Sequence, residues 1–321
     1  MSDFDDLVTC YSNQIVFFRH YRKAYAMMVK SVESTRTRQR PNCCVIAGPS
    51  GVGKSTLAML YRDSFPPPTR VVSPEDNITE ELPAFYFCLP SAATVKSFLK
   101  TLVEALGSDD SRGDTIDLKA RAIRAFKERK VKVCFLDELQ FLTRPDTQHS
   151  RDAVIDCLTH LLNSINIPII ILGTEECIDV VYSREVLARR YPYRVDFGYL
   201  KFSTDENSDY MQLLNSLDSK LYEIGHLDPG VHLTDTTVAT GLFIASNGSL
   251  EYIKKITCEA LEISLHRNRK LLFEDFISAG DSIYLSLNLS PGRNPFTLEK
   301  TEISSALERY HEFTLPPSRK T

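Results

Sequence analysis

Short apolar runs alternate with segments of helical period through the first 200 residues of the chain. Cys43-Cys44-Val45-Ile46-Ala47 is bounded by Pro41-Asn42 and Gly48, and similar runs occupy 85–88, 131–136, 168–172 and 193–197. Most are apolar throughout, though 131–136 carries Lys132 and 193–197 carries Arg194 and Asp196, and each ends in turn residues, which predicts a strand. Amphipathic patterns lie between them. Val154, Ile155, Leu158, Leu161, Leu162 and Ile165 share one helix face, and a helix over 116–130 would turn Ile116, Ala120, Ile123 and Phe126 inward. Strands without polar alternation, separated by helices, predict an α/β domain whose parallel sheet is covered on both faces.

After Leu200 the strand-like runs stop. Segments 206–224, 235–246, 250–266 and 273–285 have helical period, with Gly225, Gly248 and Gly280 as breaks. Beyond Asn288 the apolar density falls and Pro291-Gly292, Pro295 and Pro316-Pro317 appear, predicting a tail with one short helix near 302–313. The first 40 residues read as helical from about 13 to 33. The pattern divides the chain into an N-terminal helical segment (1–40), an α/β domain (41–202), a smaller all-helical domain (203–287) and a tail (288–321).

Composition narrows the class. With 321 residues, 43% hydrophobic and 25% charged, the chain is near the globular average, which excludes wholesale disorder and collagen-like architecture. There are 38 Lys+Arg against 42 Asp+Glu, a net charge of −4. Any binding to nucleic acid or anionic lipid must then use a local patch. The eight cysteines contain no C-x-x-C pair, so a zinc knuckle has no support. Several sit inside apolar runs as small core residues, a usage suited to a reducing cytoplasm. The acidic start Met1-Ser2-Asp3-Phe4-Asp5-Asp6 does not read as a signal peptide, and no apolar run approaches the roughly 18 residues of a membrane span. The expectation is a soluble cytoplasmic protein without a membrane partner.

Gly48-Pro49-Ser50-Gly51-Val52-Gly53-Lys54-Ser55-Thr56 matches G-x-x-x-x-G-K-[ST] between a strand and a helix. Glycines there let the backbone N–H groups converge on phosphate oxygens, with the positive end of the following helix behind them. Lys54 then reaches the β- and γ-phosphates, and the Ser55 hydroxyl coordinates Mg²⁺. Val133-Cys134-Phe135-Leu136-Asp137-Glu138 ends a strand in two carboxylates. Asp137 would hold Mg²⁺ and Glu138 would act as general base on the attacking water. The strand at 168–172 ends in Gly173-Thr174, whose hydroxyl could reach that water if this strand neighbours the other two. Arg184-Glu185-Val186-Leu187-Ala188-Arg189-Arg190 puts arginines before the fifth strand, where Arg189 or Arg190 could stabilise transition-state charge in a neighbouring subunit.

Five strands carrying these elements in this order, followed by a helical lid, resemble the P-loop AAA+ ATPases, with a parallel five-stranded sheet flanked by helices. The chain resembles the TnsC/TniB family of transposition regulators more closely. That likeness rests on Gly48 to Thr56, on Leu82-Pro83-Ala84-Phe85-Tyr86-Phe87 leading to Pro90 and Thr94, and on residues 102–107. It also rests on Leu136-Asp137-Glu138-Leu139-Gln140-Phe141-Leu142 and Asn166-Ile167-Pro168-Ile169-Ile170-Ile171-Leu172-Gly173-Thr174. The resemblance implies ATP and Mg²⁺ as cofactors and double-stranded DNA as a surface for self-assembly into a hexamer, heptamer or helical filament. It implies two protein partners, a TniQ/TnsD-type target selector and a DDE transposase of the TnsB/TniA type, with hydrolysis dismantling the polymer. CRISPR-associated transposons use relatives of this family. One departure is visible: where many AAA+ lids offer an arginine, this chain has Asn247-Gly248-Ser249-Leu250-Glu251-Tyr252, with Lys254 and Lys255 the nearest cations.

Two runs could meet DNA. Residues 19–40 carry Arg19, Arg22, Lys23, Lys30, Arg36, Arg38 and Arg40 against Glu33, interleaved with His20, Tyr21 and Tyr25. Residues 119–132 carry Lys119, Arg121, Arg124, Lys127, Arg129, Lys130 and Lys132 against Glu128. A third candidate is the helix with Thr94, Lys96 and Lys100. Repeated around a ring, such a patch gives salt-dependent, sequence-independent backbone binding. Two other readings remain open on sequence: a loader or repair ATPase that delivers another protein to DNA, and a nucleotide-locked signalling scaffold.

Overall fold

A computed structural model describes residues 3–72, 78–89, 94–108, 110–143 and 148–314. The expectations placed on Pro90 and on Pro316-Pro317 lie outside the described residues, as do those on the side chains of Leu142 and Val154. In chain order the elements are α1 (Asp3–Ser12), α2 (Arg19–Arg38), β1 (Cys44–Ala47), α3 (Lys54–Asp63), β2 (Thr69–Val72), β3 (Ile78–Glu81) and β4 (Ala84–Cys88). Then come α4 (Val95–Ala105), α5 (Thr115–Glu128), β5 (Val133–Asp137), a 3-10 turn over Leu139–Thr143, α6 (Gln148–Ile165) and β6 (Ile169–Gly173). The remainder is α7 (Glu176–Tyr182), α8 (Glu185–Ala188), β7 (Tyr193–Asp196), α9 (Asp209–Gly225), α10 (Thr236–Ser246), α11 (Leu250–His266), α12 (Phe273–Ser282) and α13 (Lys300–Thr314).

The five apolar runs form one parallel sheet in the order β4-β5-β6-β1-β7. Every residue of β1, β5 and β6 is buried, which is why these strands show no polar alternation. The register aligns Ala47 with Gly173 across β1 and β6, and Cys88 with Asp137 across β4 and β5. The carboxyl ends of four strands therefore share one edge. The connection from β1 runs toward β4 and the one from the adjacent β6 runs the opposite way to β7, so the strand connections diverge between β1 and β6. Ligands of open α/β sheets bind at such a switch point.

The helix over 116–130 turns differently from expectation. Asp114 caps α5, accepting from the N–H groups of Ile116 and Asp117, and the buried face is Leu118, Ala122 and Phe126. Ile116 and Ala120 lie two residues away from that face, about 200° around the helix, and are exposed, Ile116 at 74%. An antiparallel hairpin of β2 and β3, paired from Thr69↔Glu81 to Val72↔Ile78, was not expected. Its strands are charged and half-exposed, so no apolar run marks them.

Contact density divides the chain into a unit of Tyr21–Gly198 and a unit of Met1–His20 with Tyr199–Thr321. The N-terminal segment is two helices rather than one. In the helical unit, Tyr11 of α1 is fully buried and donates to Thr257 Oγ1 of α11 at 3.1 Å. The tail is not separate either: Phe296 and Ala306 are buried, and Tyr310 of α13 meets Phe243 edge-on with ring centres 4.9 Å apart. Gly280 does not break a helix. It sits inside α12, where a Cβ would come within 2.8 Å of Asn294 Oδ1 and 3.1 Å of Phe296. Glycine is needed there for close approach.

Candidate functional site

The loop after β1 takes its shape from two glycines. Gly51 (φ 79°) and Gly53 (φ 88°) lie in the left-handed region, and Gly53 leads directly into the first turn of α3. Gly48 is fixed by proximity: a Cβ there would lie 2.4 Å from the Phe197 carbonyl oxygen. Tyr21 of α2 braces the loop, donating to Gly53 O at 2.9 Å and packing edge-on against Phe197. Val52 is buried, whereas Ser50 and Thr56 are exposed and Pro49 is half-buried. Lys54 is only 8% exposed, and its ammonium donates to the carbonyls of Gly48 and Pro49, each at 2.8 Å. Burial lowers its pKa below the ordinary lysine range, while Asp137 and Glu138 pull it back up.

Asp137, 2% exposed at the end of β5, is held from three sides. The Ser55 hydroxyl donates to its Oδ2 at 2.5 Å, and the Tyr86 hydroxyl of β4 donates to the same oxygen. The Glu138 N–H donates to Oδ1 at 2.8 Å. Burial, then the bond to Asp137, pushes the Tyr86 phenol up, so it stays a donor. Glu138 itself has a left-handed backbone (φ 65°), an uncommon conformation for a side-chain-bearing residue. Such backbones cluster at functional sites. A serine hydroxyl and a carboxylate in contact are hard oxygen donors, and a Mg²⁺ site takes one or two such groups alongside phosphate oxygens and water. Loop, lysine and donor pair fit a magnesium–nucleotide.

Gln140 joins this edge to the next strand. Its Nε2 donates to Glu138 Oε2 at 2.6 Å, and its Oε1 accepts from the Thr174 N–H at 3.2 Å and from Cys177 Sγ at 3.5 Å. β6 does lie between β1 and β5, the condition set for Thr174. Its hydroxyl, however, donates to Glu176 in the same turn. Arg189 is 75% exposed and pairs with Glu185, one turn back on α8. Arg190 donates to Asn163 Oδ1 at 2.8 Å. Among the described residues, neither arginine bonds to the loop or the acidic pair of its own chain. In the helical unit, Lys254 donates to the Gln14 carbonyl at 2.8 Å and to Ser12 O, and Lys255 pairs with Glu251 at 2.5 Å.

Sequence reasoning missed Tyr86 and Tyr21 as members of the site. The strand period places Tyr86 two residues before Cys88, on the face that Cys88 shares, so the signal was present once Cys88 pairs with Asp137. Tyr21 was grouped with residues interleaving a basic run, but it is 1% exposed beneath the loop and not available for stacking. Of the second basic run, Arg121 pairs with Asp110 at 3.2 Å, Arg129 with Glu80 at 3.0 Å and Lys130 with Glu81. Thr94 caps α4 in a capping box with Ser97, and Lys100 pairs with Glu104 at 3.9 Å. On α2, Arg22, Lys23, Lys30, Arg36 and Arg38 are exposed, and among the described residues none has an acidic partner. No described helix is long and apolar enough to cross a membrane.

Solved structures share this fold at low identity. The Aeropyrum pernix ORC1 protein, determined in complex with DNA, aligns with a TM-score of 0.56 and 17% identity over 94% of this chain and 79% of its own. Cdc6p from Pyrobaculum aerophilum gives 0.57 and 11% over 94% and 83%. The Aeropyrum pernix ORC2 protein, in ADPNP–ADP complexes, gives 0.55 and 13% over 80% and 66%. The fold is that of the AAA+ ATPases. No curated protein sequence matches the chain. The family profile described as "Bacterial TniB protein" matches residues 9–196, more than half of the sequence and the whole of the loop, acidic pair and β6 edge. The chain therefore belongs to the bacterial TniB family of transposition AAA+ proteins.

Proposed function

We propose that this TniB-family protein is an ATP-hydrolysing regulator of transposition that assembles on duplex DNA. It connects a TniQ/TnsD-type target selector to a DDE transposase and leaves the DNA as ATP is hydrolysed. The observation that carries the reading is the convergence of Lys54, Ser55, Asp137 and Glu138 at the β1–β6–β5 edge. Lys54 would neutralise the β- and γ-phosphates, and Ser55 with Asp137 would hold Mg²⁺, which when bound screens phosphate charge. Glu138 would take the proton of the attacking water, with Thr174 at the far side of it. Gly48, Pro49, Ser50, Gly51, Val52, Gly53 and Thr56 would complete the cradle through their backbone and the first turn of α3.

The exposure of Arg189, held only by a partner on its own short helix, supports a role in trans on a neighbouring subunit's nucleotide, with Arg190 beside it. The exposed cations of α2, which among the described residues have no acidic partner, support DNA contact through phosphates rather than bases. The DNA bound in the ORC1 structure of the same fold agrees with that reading. Co-sedimentation with random-sequence duplex tests it. Pelleting with ATP that is lost with ADP and weakened by salt is expected, and pelleting independent of nucleotide contradicts it. Electron microscopy of the ATP-bound complex would distinguish hexamer, heptamer and filament.

A further inference from the structure

Outside the groups already given roles, the most constrained polar side chain at the site is Gln140. Its amide makes three hydrogen bonds: Nε2 on the Glu138 carboxylate, Oε1 on the Thr174 N–H and the Cys177 thiol. These partners come from three places, the end of β5, the end of β6 and the first turn of α7. The backbone has been adapted to it as well. A Cβ on Gly173 would fall 2.3 Å from Gln140 Oε1 and 2.1 Å from Cys177 Sγ, so only glycine lets the amide reach the strand end. Burial pushes the Cys177 thiol up to about 12, which keeps it a neutral donor to that amide.

We infer that Gln140 is a positioning residue for the reaction: it latches the Glu138 carboxylate to the Gly173-Thr174 end of β6. This rests on the hydrolytic reading above and extends it to a residue that touches neither phosphate nor metal ligand. The chemistry suits an amide. A neutral donor fixes one carboxylate oxygen and leaves the other free to accept from water, and unlike a histidine or acid it neither takes up the proton nor competes for it. Because the same amide binds the β6 backbone, a shift of that strand end is carried to the base. A general base displaced by about 1 Å loses on the order of 10²-fold in rate.

The test is a kcat-against-KM comparison with binding measured separately, on the full chain. Gln140→Leu keeps the volume and removes all three hydrogen bonds. It is expected to lower kcat about 10- to 100-fold while KM for ATP, and affinity for a fluorescent ATP analogue with Mg²⁺, stay within about twofold. A second variant reaches the latch from the other side. Gly173→Ala combined with Cys177→Ala vacates the thiol's space but leaves the new methyl against Gln140 Oε1, so its kcat should fall well below that of Cys177→Ala alone, which removes one of the latch's three bonds and is the reference for the double variant. Equal kcat for wild type and Gln140→Leu overturns the inference while leaving the ATPase reading standing, and so does a fall in affinity that matches the fall in kcat. A wild-type chain that binds the analogue but never turns it over overturns both.

Discussion

The Ser55 hydroxyl donates to Asp137 Oδ2 at 2.5 Å across 82 positions of sequence. That bond ties the first turn of α3 to the end of β5, and it sets two hard oxygen donors side by side where the loop of β1 opens. The Tyr86 hydroxyl shares the same carboxylate oxygen from β4. Groups that orient a metal-binding carboxylate affect metal affinity without contacting the metal. Tyr86→Phe is therefore expected to weaken the Mg²⁺ dependence of nucleotide binding about 10-fold, with little change in EDTA. Titrating Mg²⁺ against a fluorescent ATP analogue measures this. Identical magnesium curves for the two proteins would remove Tyr86 from the site.

Lysine and glutamate should separate binding from turnover. Lys54→Ala removes the buried cation at the loop and is expected to abolish ATP-dependent assembly on DNA. Glu138→Gln keeps size and shape but not basicity, so it should bind ATP normally and hydrolyse it about 10²- to 10⁴-fold more slowly. Its polymers should persist longer on DNA. Phosphate release and filament lifetime are the readouts, and unchanged turnover would reassign the base.

Subunit mixing addresses the arginines. Neither Arg189 nor Arg190 bonds to the site of its own chain among the described residues. Chains carrying Arg189→Ala or Arg190→Ala, mixed with Lys54→Ala chains, should regain part of the hydrolysis that each lacks alone, because one subunit supplies the site and the other the cation. Activity that stays at the sum of the separate samples at every ratio counts against action in trans.

The thiols give an independent check on the fold. Cys10 and Cys88 are exposed, Cys258 is half-buried, and the other five are buried. Burial pushes Cys43 and Cys177 up to about 12 and Cys157 and Cys258 up to about 11. Thiolate is the reactive form and its fraction rises with pH, so at pH 8 a thiol at 11 is about one part in a thousand ionised. Thiol labelling of the native protein at pH 8 should modify Cys10 and Cys88 first, and the rest should follow only on unfolding or at strongly alkaline pH. Cys88 is the register partner of Asp137, so magnesium–nucleotide should slow its labelling and leave Cys10 unaffected. Rapid labelling of Cys43 or Cys134 in native protein would contradict the buried sheet.

The parallel sheet and the phosphate loop were legible because each has a local signature: apolar runs without alternation, and glycines at fixed offsets from Lys54. Asp137 and Glu138 were legible from their place at a strand end. What the sequence hid depends on partners far along the chain. The inward face of α5 was set by the Asp114 cap, not by Ile116, and Gly280 was required by Asn294 and Phe296 rather than by a helix end. Tyr86 and Tyr21 gained their places only when β4 paired with β5 and α2 folded beneath the loop. The hairpin of β2 and β3 carries Arg70, Glu80 and Glu81, a composition that reads as loop in one dimension.

Isothermal calorimetry of the purified chain with ATP and Mg²⁺ bears most directly on the site as a whole. Saturable binding of one nucleotide per chain, weakened by chelation and lost in Lys54→Ala, is the expected result. No heat of binding from folded wild-type protein at any magnesium concentration would contradict it.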